Sequence, residues 1–177
     1  MKSRQWKRVT ALFCAFALIL SLSPAISAAG TPASSRNINR QDYTTYGNTV
    51  TSYLYENDQG GVTRVEYPGG DPIVEDYDRA YELADSRTVS VGLPIWGGFF
   101  AGEDANFVIS GQTNQSENDS AEVIRVEKYS KDWQRLGQAS LNGVNISVPF
   151  ASGAVRCTEY NGYLLIHTCR EMYKSSD

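Results

Sequence analysis

A four-residue signature recurs at a fixed spacing, and it limits the fold more than any other feature of the chain. Val74-Glu75, Tyr77 and Tyr81 stand 52 residues before Val126-Glu127, Tyr129 and Trp133. Three identities and one aromatic exchange share that offset. Each copy encloses a polar turn, Asp78-Arg79-Ala80 in the first and Ser130-Lys131-Asp132 in the second. Later, Glu159, Tyr163, Leu164 and Leu165 follow Glu103, Phe107, Val108 and Ile109 by 56 residues. A period near 50 residues that holds several short strands is the mark of β-meander units such as propeller blades.

The residues between these copies read as strands and turns. Thr49–Glu56, with Val50, Tyr53, Leu54 and Tyr55, is a strand by β-branched and aromatic content. Asn57-Asp58-Gln59-Gly60-Gly61 is a turn, Val62–Tyr67 the next strand, and Pro68–Pro72 a break. Ile73–Tyr77 is a short strand. A helix over Asp76–Ala84 has only partial helical spacing, so a hairpin is expected there. Thr88–Val91 reads as another strand, Gly92–Gly98 as an aromatic, glycine-bearing loop, and Phe99–Ala101 as a strand. Phe107–Ile109, Val123–Tyr129 and Trp133–Leu141 then form a meander around the polar loop Gln112–Ser120. The expected class is therefore all-β, with antiparallel meanders making about two blades of an incomplete β-propeller. A β-sandwich is the alternative. Two blades alone would leave outer faces open, with Leu164 and Ile166 on them.

The N-terminus sets the compartment. Lys2, Arg4, Lys7 and Arg8 precede the apolar run Ala11–Leu20, and the small residues Ser27, Ala28 and Ala29 follow. This order is that of a secretory signal peptide, expected over residues 1–29. The apolar run is too short, and too quickly broken by Ser21, Ser23 and Pro24, to span a membrane well. Residues 30–47 read as a linker or disordered arm, and 48–177 as the repeat domain. Four of the 16 Lys and Arg and none of the 20 Asp and Glu lie before residue 30, which leaves a mature net charge of −8. An acidic surface argues against binding nucleic acid or an anionic membrane through bulk charge.

After signal removal the cysteines are Cys157 and Cys169. Asn161-Gly162 reads as a two-residue hairpin turn, which pairs Tyr160 with Tyr163 and Cys157 with Ile166. Side chains alternate, so Cys169 points to the face opposite Cys157 unless a bulge intervenes, and geometry disfavours a disulfide. A zinc site lacks a second Cys/His pair.

Motifs for chemistry are sparse. His167 is the one histidine and stands in a strand without an oriented partner. No nucleophile elbow, P-loop or dinucleotide fingerprint occurs. Glu103, Asp104, Glu117, Asp119, Glu159 and Glu171 supply carboxylates, but spacing does not make any two converge, as a glycosidase needs. Glu117-Asn118-Asp119 lacks the spacing of a calcium loop. No catalytic residue, metal or cofactor is assigned. Trp96, Phe99, Phe100, Trp133 and Tyr163 are the candidate ligand-binding residues, since aromatic platforms stack on sugars and peptides. The competing role for them is packing between blades. Asn114, Asn118 and Asn145 head N-glycosylation patterns, which matter only in a eukaryotic secretory pathway.

The runs Glu122–Trp133 and Glu159–Leu164, with Glu171-Met172-Tyr173, resemble secreted β-propeller-like proteins of gram-positive bacteria with kelch-style repeats. The resemblance spans about Val62 to Asp177. It implies a fold and a secreted or cell-surface location, with further blades beyond Ser175-Ser176-Asp177. It carries over no active-site residue. The expected function is a non-catalytic surface interaction or scaffold module with a protein or glycan partner. The alternative is part of a secreted carbohydrate-active enzyme whose catalytic acids lie on missing blades.

Overall fold

Short alternating runs punctuated by Gly, Pro and Asn turns give a chain built of strands. The computed structural model describes residues 49–151, 153 and 155–174. The expected signal peptide, the arm at 30–47 and Ser175-Ser176-Asp177 lie outside the described residues. Among the described residues there are strands and no helix. Strands β1 (Ser52–Glu56), β2 (Val62–Glu66), β3 (Ile73–Tyr77) and β4 (Leu83–Thr88) form one antiparallel four-stranded meander. Strands β5 (Ile95–Ala101), β6 (Asn106–Gly111), β7 (Glu122–Tyr129) and β8 (Arg135–Asn142) form a second. The short β9 (Val148–Pro149) pairs with β12 (Arg170–Glu171), and β10 (Arg156–Tyr160) forms a hairpin with β11 (Tyr163–His167). The fold is all-β and antiparallel, with two blade-sized meanders and no closed sheet.

The 52-residue offset relates β3 to β7, the third strand of each meander. Both strands shift register at their last residue, so that Tyr77 faces Leu83 and Tyr129 faces Arg135. The turns that follow share one hydrogen-bond pattern. Asp78 N–H donates to Glu82 C=O (2.9 Å) and Tyr81 N–H to Asp78 C=O (3.0 Å); Ser130 donates to Gln134 (2.8 Å) and Trp133 to Ser130 (3.0 Å). Tyr81 and Trp133 even share a left-handed backbone, with φ of 61° and 62°.

The sheets pack in series. In β6, Val108 points into a core formed with Val65 and Val74 of the first meander, Trp96, Phe99, Tyr129 and Trp133. Its neighbour Ile109 points the other way, into a core with Phe107, Val123, Ile124, Ile146 and Phe150. Cys157, Leu164 and Ile166 of the β10–β11 hairpin pack against that second core. Val108 and Ile109 are both 0% exposed, so β6 is covered on both faces, while β8 at the edge of the same sheet is mostly exposed. A two-sheet sandwich would leave one face of each sheet to solvent; this arrangement does not. The first strand of each unit, β1, β5 and β10, meets along a common line. There Tyr53, Phe99 and Cys157 border a small cavity of about 250 Å³.

Three expectations need correction. The strand expected at Thr88–Val91 is instead β4 at Leu83–Thr88. Its partner β3 starts at Ile73; Val89 N–H still donates to Pro72 C=O at 3.0 Å, but proline has no N–H to return, so the ladder ends there. Val89 and Val91 leave the ladder to enter the first core. The loop expected at Gly92–Gly98 becomes strand from Ile95. A bulge between Trp96 and Gly98 inserts Gly97 and puts Trp96 and Phe99 into the same core. A Cβ on Gly97 would lie 2.6 Å from Phe150 Cζ, so close packing explains the glycine. Third, Leu164 and Ile166 do not lie open; the outward face of that hairpin carries Tyr160, Tyr163 and Leu165 instead. The hairpin at Asp76–Ala84 and the pairing of Cys157 with Ile166 stand as read.

Candidate functional site

At the turn end of the two meanders, side chains from both sheets line a cleft of about 630 Å³. This lies within the size range of ligand pockets, about 300–1,000 Å³. From the first sheet come Tyr55, Thr63, Asp76, Asp85 and Arg87, with the β1–β2 turn at Asn57–Gln59. From the second come Lys131, Asp132, Trp133 and Gln134 of the β7–β8 turn. Alternation puts Tyr55, Thr63 and Asp76 on one face because they are cross-strand neighbours. The left-handed turn at Trp133 brings its ring back beneath the cleft.

The polar wall is organised around Arg87. Asp76 and Asp85 are direct cross-strand partners, an arrangement of like charges that sheets disfavour. Arg87 donates to both, at 2.8 Å to Asp76, while Thr63 Oγ1 donates to the other Asp76 oxygen at 2.5 Å. Bonding to Arg87, helped by the Ser86 amide, holds the Asp85 carboxyl below its usual range. Asp85 is therefore an ionised acceptor and unsuited to act as a general acid near neutral pH. Lys131 Nζ donates to Gly102 C=O and lies 6.0 Å over the Tyr55 ring. Burial pushes the Tyr55 hydroxyl up, partly offset by hydrogen bonding with Thr63. The site thus offers fixed acceptors, two cations and aromatic edges, suited to holding a polar ligand.

The structure disperses the five aromatic candidates. Trp96, Phe99 and Trp133 lie in the first core, where Phe99 stacks on both Tyr55 and Trp133 at 5.7 and 5.6 Å. Trp96 donates its indole N–H to Val50 C=O and stacks on Tyr67. Phe100 is half-buried against Phe107 in the second core. Tyr163 is 71% exposed on the outer hairpin. Of the five, Trp133 alone borders the cleft. Among the carboxylates, Glu159 accepts the Glu103 amide at 2.7 Å, and Glu117 accepts the Lys174 amide at 2.8 Å. Asn114 is buried with both amide atoms bonded, its nitrogen to Tyr173 Oη and Asn118 C=O. Sequence reading missed Tyr55, Asp76, Asp85, Arg87 and Lys131. The available signal was cross-strand register: once β3 and β4 are known to pair, two aspartates fall opposite one another with an arginine two residues on.

No helix among the described residues is long and apolar enough to cross a membrane. Compared with known proteins, the chain matches no family model, no curated protein and no solved structure.

Proposed function

We propose that this chain is an exported, non-catalytic interaction module of the cell surface, built from kelch-like β-propeller blades and binding a protein or glycan partner. The observation that carries the reading is the cleft of about 630 Å³ between the meanders, with Asp76, Arg87 and Lys131 set around Tyr55 and Trp133. Its polar groups are anchored before any ligand arrives, which lowers the ordering cost of binding. Asp85 held ionised by Arg87 supports binding rather than proton transfer. The basic, apolar and small-residue order of residues 1–29 supports export.

Trp133 borders the cleft, so its fluorescence reports occupancy. The mature protein is titrated with soluble peptidoglycan fragments, with cello- and chito-oligosaccharides, and with decapeptides of either charge. One class should give a saturable change that weakens about tenfold in Asp132→Asn with Gln134→Ala, two exposed changes at the rim, and in Arg87→Lys. Saturable binding by no class, or binding indifferent to these changes, would remove this reading. Hydrolysis of an oligosaccharide would favour the carbohydrate-active enzyme.

A further inference from the structure

The outermost strands of the two meanders occupy the same place and differ in one respect. Registers align Leu83–Thr88 of β4 with Arg135–Ser140 of β8, since Tyr77 pairs with Leu83 as Tyr129 pairs with Arg135. Where β4 carries Asp85 and Arg87, β8 carries Gly137 and Ala139. Charged residues on an edge strand are a common guard against pairing with another chain. β4 has this guard and is six residues long. β8 is eight residues long, with Arg135 its one charge, and seven of its residues are exposed. Among the described residues no strand pairs with its outer edge. Leu136 and Leu141 stand 58% and 40% exposed along it.

We propose that the outer edge of β8 pairs antiparallel with β8 of a second copy of this chain, joining two four-stranded meanders into one eight-stranded sheet. The strand is complementary to itself. Two-fold pairing centred on Ala139 places Leu141 opposite Gly137 of the second copy. A Cβ on Gly137 would meet nothing within 4 Å, so there is room for the leucine. The same register sets Leu136 opposite Asn142, leaves Arg135 beyond the last pair, and brings no like charges face to face. A mature chain of net charge −8 repels its copies over most of its surface, and β8, which carries no acidic residue, is where they can approach. The contact is small. The seven paired residues at about 3.4 Å each give a strip about 24 Å long and one strand wide, which covers well under the roughly 800 Å² per partner of a standard interface. The dimer is therefore weak and reversible, in the micromolar to millimolar range.

Sedimentation velocity of the mature protein from about 5 to about 500 µM tests this. The wild type should pass from monomer to dimer as concentration rises. Gly137→Asp with Ala139→Arg restores the charges of β4, and it should weaken association at least about tenfold. Gly137 has open space and does not need a left-handed backbone, so the variant should fold, as far-UV circular dichroism would confirm. Ala139→Lys, at an exposed position, is the second variant and should act the same way. A wild type that stays monomeric throughout, or an association that neither variant weakens, would overturn the proposal.

Discussion

Val108 and Ile109 are consecutive in β6, point to opposite faces, and are both fully buried. Series packing of sheets therefore makes a two-sided prediction. Val108→Ala deletes two carbons from the first core, and Ile109→Ala deletes three from the second. At ~0.8 kcal/mol per buried methylene, transfer alone costs about 1.6 and 2.4 kcal/mol. The cavity term raises these to about 2–3 and 3–5 kcal/mol, because close-packed surroundings relax only partly. The two cores share no side chain but the two residues share a backbone, so the departure of the double variant from the sum measures coupling through β6, and the sum itself is about 5–8 kcal/mol. That is most of the stability of an ordinary domain of this size. Urea unfolding of the mature protein, followed by circular dichroism and tryptophan fluorescence, measures each loss. If β6 had one face in water, one of these substitutions would cost under about 0.5 kcal/mol, as surface changes do. A loss below about 1 kcal/mol for either single variant, with an unchanged m value, refutes serial packing.

Burial pushes the Tyr53 hydroxyl up to about 12. The fold favours its neutral form, so its contribution is complete below the ordinary value near 10 and is lost as pH rises towards 12. This amounts to about 2–3 kcal/mol, and melting curves above pH 10 should fall accordingly. Asp85 is held low by Arg87, and Glu122 by Arg125 above all. Their contribution is present above the ordinary carboxylate values and is lost as pH falls through the lowered ones, so melting temperature should drop below about pH 4. Burial also pushes the Cys157 thiol up to about 11, whereas Cys169 is exposed. At pH 8 iodoacetamide should label Cys169 at least about tenfold faster than Cys157, read by peptide mass mapping; equal rates would contradict the packing of β10. Intact mass of secreted material should show a chain starting between Ala28 and Gly30, and a product retaining Met1–Ser27 would mean an anchor instead.

Most of the fold was legible because strands and turns are local. β-Branched and aromatic runs located β1, β2, β3 and β7, and Asn161-Gly162 fixed the register of the last hairpin. The run Phe107-Val108-Ile109 was legible as an apolar strand, but the partners of its two faces were not. Three consecutive apolar residues state only that both faces are dry, not what covers each. The start of β5 was hidden because Gly97 and Gly98 read as loop-forming, whereas the bulge and the approach of Phe150 require them. The cleft was less legible still. Its wall depends on Asp76 meeting Asp85, a pair separated from the connecting turn by a register shift at Tyr77, and on the β7–β8 turn arriving from another sheet. Neither is encoded by neighbours in the chain.

The turns after β3 and β7 put one backbone geometry to two uses. A bulky residue with positive φ is costly, yet both copies keep the left-handed turn at Tyr81 and Trp133. In the second copy the cost is offset, because Trp133 is buried against Phe99 and Tyr129 at 5.6 and 5.8 Å. In the first copy Tyr81 is 75% exposed and gains no comparable packing. Its turn is held instead by the Asp78 side chain, which accepts the amides of Ala80 and Glu82 at 2.8 and 2.9 Å. Ser130 Oγ accepts the Gln134 amide at the matching position of the second copy. The shared constraint is thus the turn, fixed by a capping side chain at its first residue. The aromatic four residues after Tyr77 and Tyr129 is free to serve the core in one meander and to face water in the other. A short sequence match of this kind reports turn geometry, and it does not carry the burial of one turn over to the other.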